Sequence, residues 1–317
     1  MNCHSKRLQA ALLMAAMLAP AAITQGMTLW LAKGFVKKYK DKVTITTSLK
    51  VDKHHQSPNG IDSDGDIHMA GRDSVVLLPM VAEIINGRNE KDTMQFLLQT
   101  SAGQQVDVTG VWRLWFEHTG AQNTSQTQGL VVEIPDDTDP KHLFEIHPIT
   151  KFGSFNCLDS FLPIVDNQAH PTQEFRGTPA TTAFPSYDSH KITISRSNTA
   201  IMLDTKKAVY NYTDFFIKLA GKPKDVGDGY MVFANISATK NFSEPLLVEG
   251  TRRMIFAKDS APANAVKNLV KGDKLHVLGV PRVNLNEIFA EASNLAVGEV
   301  LPDQKLPYEM IIVAVIK

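Results

Sequence analysis

The chain has 317 residues, 43% of them hydrophobic and 21% charged, with 33 basic against 33 acidic side chains. That composition fits a folded chain of about two domains and excludes disorder and collagen-like repeats. A net charge of zero provides no global field for nucleic acid or anionic lipid, and two cysteines, Cys3 and Cys157, exclude a disulfide framework.

Lys6 and Arg7 precede an apolar stretch over 8–23 that carries the small residues Ala19, Ala21 and Ala22 near its end. A basic start, a short apolar run and a small-residue exit form the pattern of a secretory signal peptide. Residues 1–26 are therefore expected to direct export to the periplasm or beyond. The apolar run resumes at Met27-Thr28-Leu29-Trp30-Leu31, so retention as an anchor is the other expectation. In that case Lys37-Lys38-Tyr39-Lys40 would sit against headgroups. With the signal gone Cys157 is the one cysteine left, flanked by Asn156 and Leu158 with no base beside it, and it reads as a buried apolar side chain.

Strand signals follow at 43–49, 66–71 and 80–85, then a helical spacing of Met94, Leu97 and Leu98 within 89–101. A long strand at 106–116 and a last one at 142–147, stopped by Pro148, complete the set. The prolines Pro171, Pro179 and Pro185 make 156–190 a linker or surface loop. The same order then recurs: strands at 191–201, 229–234 and 246–256, a helix at 263–270, and strands at 272–280 and 308–315. The fourth strands of the two copies, 106–111 and 275–280, share a glycine in the same phase, Gly110 and Gly279, as a bulge or tight barrel bend requires. The predicted fold is mainly β, with two tandem OB-like five-stranded barrels at 27–155 and 191–317. Each carries one helix between its third and fourth strands.

The first barrel carries a D-x-D-x-H strand (Asp64, Asp66, His68), a glutamate on the third strand (Glu83) and a T-G-V strand (Thr109, Gly110, Val111) with a later His118. Its last strand reads Glu145-Ile146-His147-Pro148. In these motifs residues 43–151 resemble a group of exported bacterial proteins with an OB-like domain. The resemblance implies fold and export rather than a reaction. The run Trp112-Arg113-Leu114-Trp115-Phe116 departs from the group's Phe-Phe-Asp-like run.

Strand alternation places Asp64, Asp66 and His68 on one face, Arg113 and Trp115 on another stretch of it, and Glu145 and His147 opposite Phe144 and Ile146. A polar outer surface of Asp66, His68, Arg113, Trp115, Glu145 and His147 is the expected ligand-binding face, with Trp115 as a stacking platform. Asp62, Asp64, Asp66 and His68 are the candidate metal set, their imidazole and carboxylate donors suiting zinc or calcium. The alternative is an ordinary solvated sheet face with cross-strand pairs. Residues 27–150 contain twelve basic against sixteen acidic side chains, an unfavourable balance for a polyanion. The leading expectation is a non-enzymatic exported protein that binds an oligomeric ligand, a glycan or single-stranded nucleic acid, or a protein of the envelope. A metal-dependent phosphodiesterase and a structural envelope component are the alternatives.

Overall fold

A computed structural model describes residues 26–60, 64–118, 124–126, 134–164, 174–242 and 246–317; the signal segment and Asp62 lie outside them. The chain is mainly β and contains two closed five-stranded barrels. Strand β1 (Met27–Ala32) and helix α1 (Lys33–Tyr39) come first. The first barrel follows as β2 (Thr44–His54), β3 (Ile67–Arg72), β4 (Met80–Ile84), helix α2 (Lys91–Leu98) and β5 (Gln104–Leu114). After the short strand β6 (Thr124–Ser125), β7 (Phe144–Phe152) completes it. On β2, Ile45, Thr47, Leu49 and Val51 alternate into the core, the period-two burial of a strand with one wet face. The order β4-β3-β2-β5-β7 closes through a parallel pairing of β4 with β7, Met80 opposite Phe144. Strand one thus pairs with two and four, and three with five, which is OB connectivity.

Gly110 marks a bulge. The β5–β7 ladder slips on both sides of it, and a Cβ there would stand 2.6 Å from the Pro148 carbonyl oxygen. The slip explains why β7 runs on through Pro148, where the sequence predicts a stop. His147 and Pro148 both fall between the pairs Ile146–Trp112 and Ile149–Gly110, so the proline ring takes no ladder position that needs an N–H.

The described residues of 156–190 are more structured than a linker. They hold part of β8 (Phe155–Asn156), all of β9 (Thr178–Pro179) and helix α3 (Ala180–Ser189), with Pro185 inside the helix. The stretch 191–201 forms β10 (Lys191–Arg196) and the turn into β11 (Ala200–Thr205), and neither belongs to a barrel. They enter a separate sheet of order β17-β10-β11-β1-β6, where β17 is the late strand Val300–Lys305. The second barrel opens instead with β12 (Thr213–Leu219), whose Phe215, Ile217 and Leu219 point inward. It continues through β13 (Lys224–Asp225), β14 (Gly229–Ser237), β15 (Arg252–Ala257), helix α4 (Ala261–Val266), β16 (Lys274–Val283), helix α5 (Leu285–Asn294), β17 (Val300–Lys305) and β18 (Tyr308–Ile316). The order β14-β15-β18-β16-β12 closes through β14–β12, and its ladder slips at Gly279 as the first barrel's does at Gly110.

The barrels meet along β5 and β16. Arg113 and Arg282 lie three residues after the two bulge glycines, and each pairs across its ladder with a glutamate, Glu145 and Glu309. The contact is reciprocal: Arg113 Nε donates to the Pro281 carbonyl at 3.0 Å, and Arg282 Nη1 donates to the Trp112 carbonyl at 3.0 Å. Each guanidinium therefore bonds the residue just before its counterpart. Val43, Ile85 and Val111 of the first barrel share an apolar cluster with Ile255, Val280 and Ile311 of the second. Two copies of one strand pair thus form an internal interface of the self-complementary kind found in two-fold dimers.

Candidate functional site

The residues expected to form an outer ligand-binding face do not lie on the surface. Asp66, Arg113, Trp115, Glu145 and His147 are all buried and His68 is half-buried; Pro281 of the second barrel meets Arg113, Tyr212 just before it meets Asp66 and His147, and Tyr187 of α3 meets Trp115. Trp115 is no platform: it is 2% exposed and packs edge-to-face against Tyr187 at 5.5 Å. Cys157 is buried, its thiol is 3.7 Å from the Thr93 hydroxyl, and burial pushes it up to about 12.

The polar side chains converge on β7. Glu145 Oε2 accepts from Arg113 Nη1 at 2.5 Å, and the same guanidinium donates to Glu117 at 2.7 Å through Nη2. Beneath them, His147 Nδ1 lies 3.1 Å from Glu83 Oε2 and 3.2 Å from Glu145 Oε2. Its Nε2 lies 2.9 Å from the Tyr212 hydroxyl, which donates to Asp66 Oδ2 at 2.7 Å. Tyr212 immediately precedes β12, so the second barrel completes the first barrel's centre. No sequence signal pairs position 212 with 66 and 147.

On the other side of Glu145, His142 Nε2 is 3.1 Å and His118 Nε2 is 3.7 Å from Oε1. The two imidazoles stack at 4.2 Å, and both Nδ1 atoms lie 3.6 Å from Asp139 Oδ1. His142 Nδ1 donates to the Pro140 carbonyl at 2.6 Å. Asp139, His142 and Glu117 are members that sequence reasoning passed over. The spacing of His142, Glu145 and His147 at the start of one strand is the signal that could have found the first of them.

Burial and unlike neighbours drive the carboxyls apart. Burial, helped by the charges of Asp64 and Glu83, raises Asp66 well above the usual range. Burial pushes Glu83 up to about 7 against the pull of His147. Burial would raise Glu145 too, but Arg113 and the hydrogen bonds from His142 and His147 hold it well below. Burial lowers His68 and His118, whereas His142, bonded to Glu145, is raised in spite of its burial. One strand therefore carries an anion, Glu145, beside carboxyls that resist charge.

Of the metal set expected from sequence, Asp62 lies outside the described residues, and Asp64, Asp66 and His68 form no shared group of donors. Asp64 Oδ1 accepts from the Asp66 N–H at 3.1 Å, closing a turn in which Asp64 has φ 96°, while Asp66 points inward to Tyr212. Among the described residues, the groups of donors close enough to share an ion are His118, Asp139 and His142; Asp66, Glu83 and His147; Glu83, His142 and Glu145; and Glu117, His118 and Glu145. None contains Asp64 or His68.

The centre sits between β3, β4 and the segments that follow β2 and β5, the region through which OB barrels take oligomers. His55, His68, Glu117, His118 and Asp139 reach solvent at its rim, with His55 and His68 stacked at 4.7 Å. Among the described residues the second barrel has no such excess of acid at the matching place. There Glu309 faces two arginines, Arg253 and Arg282.

No family model matches the chain, and no curated protein matches it. Among solved structures it is similar to the wild-type single-stranded DNA binding protein from Thermus aquaticus at 10% identity and TM-score 0.20. That likeness covers 87% of this chain and 92% of the other. A deletion mutant of the same protein gives 11% identity and TM-score 0.21 over the same shares. Among the described residues no helix is long and apolar enough to cross a membrane.

Proposed function

We propose that the chain is an exported binding protein that takes an extended, uncharged oligomer, a glycan chain, across the rim of the first barrel. The observation that carries this reading is the composition of the rim. Among the described residues, His55, His68, Glu117, His118 and Asp139 put imidazoles and carboxylates on the ligand-taking face of an OB barrel, with Lys53 and Lys141 beside them. Carboxylates accept from sugar hydroxyls and imidazoles bond them in either direction. A phosphate backbone meets acid here instead of the basic groove it requires. Export rests on the pattern of Lys6, Arg7 and the apolar run behind them.

The test is affinity electrophoresis of the full chain through gels containing neutral polysaccharides, beside anisotropy with labelled single-stranded DNA. Retardation by a neutral polysaccharide with no DNA signal is the expected result. DNA binding without retardation would overturn the glycan reading. A second reading, metal-dependent phosphodiester hydrolysis, is favoured by the donor groups around Glu145 and Glu83. It is read in the same DNA sample as product shortening on addition of a divalent ion. Cell fractionation with N-terminal sequencing tests export: a periplasmic or secreted chain supports it and a cytoplasmic one contradicts it.

A further inference from the structure

We infer that one end of the separate sheet is a docking surface for an anionic phospholipid bilayer, built from Lys191, Lys206, Lys207 and Lys305 around the point where the N-terminal chain enters. The strand register brings the four together. β1 runs antiparallel to β11 with Met27 opposite Thr205, and Thr205 also faces Ile192 of β10. Lys191 of β10 in turn faces Lys305 of β17. One step beyond Thr205, Lys206 therefore stands between Gly26 and Lys191, with Lys305 on the far side of Lys191. Neighbouring strands lie about 4.8 Å apart, so the row from Gly26 to Lys305 is roughly 15 Å long. Lys207 follows directly on Lys206, and all four lysines are exposed.

Charge and shape suit lipid phosphates. Lys191, Lys206 and Lys207 line an open recess of about 620 Å³ together with Gly26, Ser186 and Ser189. The acids there are Asp204 and Asp303, and Asp204 is turned onto β1, accepting from the Thr28 hydroxyl at 3.3 Å. Four lysines against two acids leave this end basic. Val209, 38% exposed at the same recess, adds an apolar contact beside the lysine stems. The sequence supplies the bilayer. Only Thr24 and Gln25 separate the apolar run over 8–23 from Gly26. Three extended residues reach about 11 Å at most, so the lysines stand about one Debye length from the end of that run. Lysines so close to a membrane-seeking segment attract anionic headgroups. The basic run Lys37-Lys38-Tyr39-Lys40 is the less suitable set. It follows the far end of β1, six residues or about 20 Å from the entry, where the Lys33 N–H donates to the Thr199 carbonyl in the β10–β11 turn.

This surface is separate from the rim assigned above to a glycan, and its test uses no glycan, so the two readings can fail separately. The full chain with Cys3→Ser and a reporter cysteine is labelled with a polarity-sensitive fluorophore. It is then mixed with vesicles of phosphatidylcholine alone or with about a third of phosphatidylglycerol. With the label at Val209→Cys, emission should shift to the blue on the anionic vesicles beyond its phosphatidylcholine value, and high salt should reverse the difference. The fourfold variant Lys191→Gln/Lys206→Gln/Lys207→Gln/Lys305→Gln, all at exposed positions, should lose that difference at an unchanged melting temperature. A label at Asn198→Cys, exposed in the turn at the opposite end of the sheet, should report water on both vesicles. Equal emission from the Val209→Cys label on the two vesicle types would overturn the inference. So would a difference that survives the four glutamine substitutions, or an equal shift at Asn198→Cys.

Discussion

Arg282 tests the internal interface most sharply. It is fully buried, donates through Nε to Glu309 Oε1 at 2.6 Å, and through its terminal nitrogens to the carbonyls of Val43, Trp112 and Lys42 at 3.2, 3.0 and 3.1 Å. Its guanidinium lies 3.6 Å over the Trp112 ring. Burial lowers it to about 10, still charged at neutral pH. Arg282→Met keeps the length and an apolar stem over Trp112 and removes the donors together with the positive charge. Breaking one side of a buried ion pair costs about 3–5 kcal/mol. Here Arg253 still faces Glu309, which favours the lower end, while the carbonyls that lose a donor add about 1 kcal/mol or more. A loss of about 4 kcal/mol is a large share of the roughly 5–15 kcal/mol that holds a domain folded. Arg282→Lys should rescue little, because an ammonium cannot span Glu309 and three carbonyls in one plane. The assay is urea unfolding of wild type, Arg282→Met and the exposed control Lys274→Ala, comparing midpoints at constant slope. A loss below about 1 kcal/mol for Arg282→Met would refute the reasoning.

Four further outcomes follow from the same geometry. Trp115→Ala should destabilise by about 3–5 kcal/mol, with urea unfolding as the readout, since the ring is core; an unchanged midpoint would restore it to the surface. Gly110→Ala should lose stability by about 3 kcal/mol or fail to fold, checked by circular dichroism and melting, because its Cβ meets the Pro148 carbonyl and Ile149. Cys157 should react with a thiol reagent only on unfolding, given its burial and raised thiol; fast labelling of the native chain would contradict this. Glu90 is buried beside Ser160, whose N–H it accepts at 2.8 Å, and burial raises it to about 7. The folded state therefore holds its proton more tightly, so the group's contribution to stability falls as pH rises from about 4.5 to 7. Glu90→Gln keeps the acceptor and removes the charge, so it should gain on wild type by about 1 kcal/mol or more above pH 7 and by little at pH 4. Melting curves at the two pH values read the difference, and equal gains at both would sink the assignment.

The barrels were legible because their strands alternate cleanly and repeat. Ile45, Leu49 and Val51 on β2, and the matched glycines Gly110 and Gly279, are local signals that survive folding. The separate sheet was not, because β1, β10 and β17 come from three distant stretches whose pairing no local pattern encodes. The opening strand β12 is masked in the sequence by the stronger β pattern at 191–201, which stands just ahead of it. The site was half legible. Alternation sorted Glu145 and His147 from Phe144 and Ile146, yet it distinguishes two faces without saying which one another domain covers. That is why Arg113 and Trp115 read as outward and are buried. Tyr212 and Asp139 reach the centre across separations in sequence that only the packed structure brings together.

The most direct test of the first barrel's rim as the working surface is the double variant His55→Ala/His68→Ala. The two stacked rings at 4.7 Å reach solvent, with His68 Nε2 3.6 Å from the buried Glu83. The measurement is retardation of wild type and variant in the same neutral-polysaccharide gels, with melting temperatures taken in parallel. The account predicts retardation in the wild type that is lost in the variant at an unchanged melting temperature. Equal retardation of the two would place the binding surface elsewhere and contradict it.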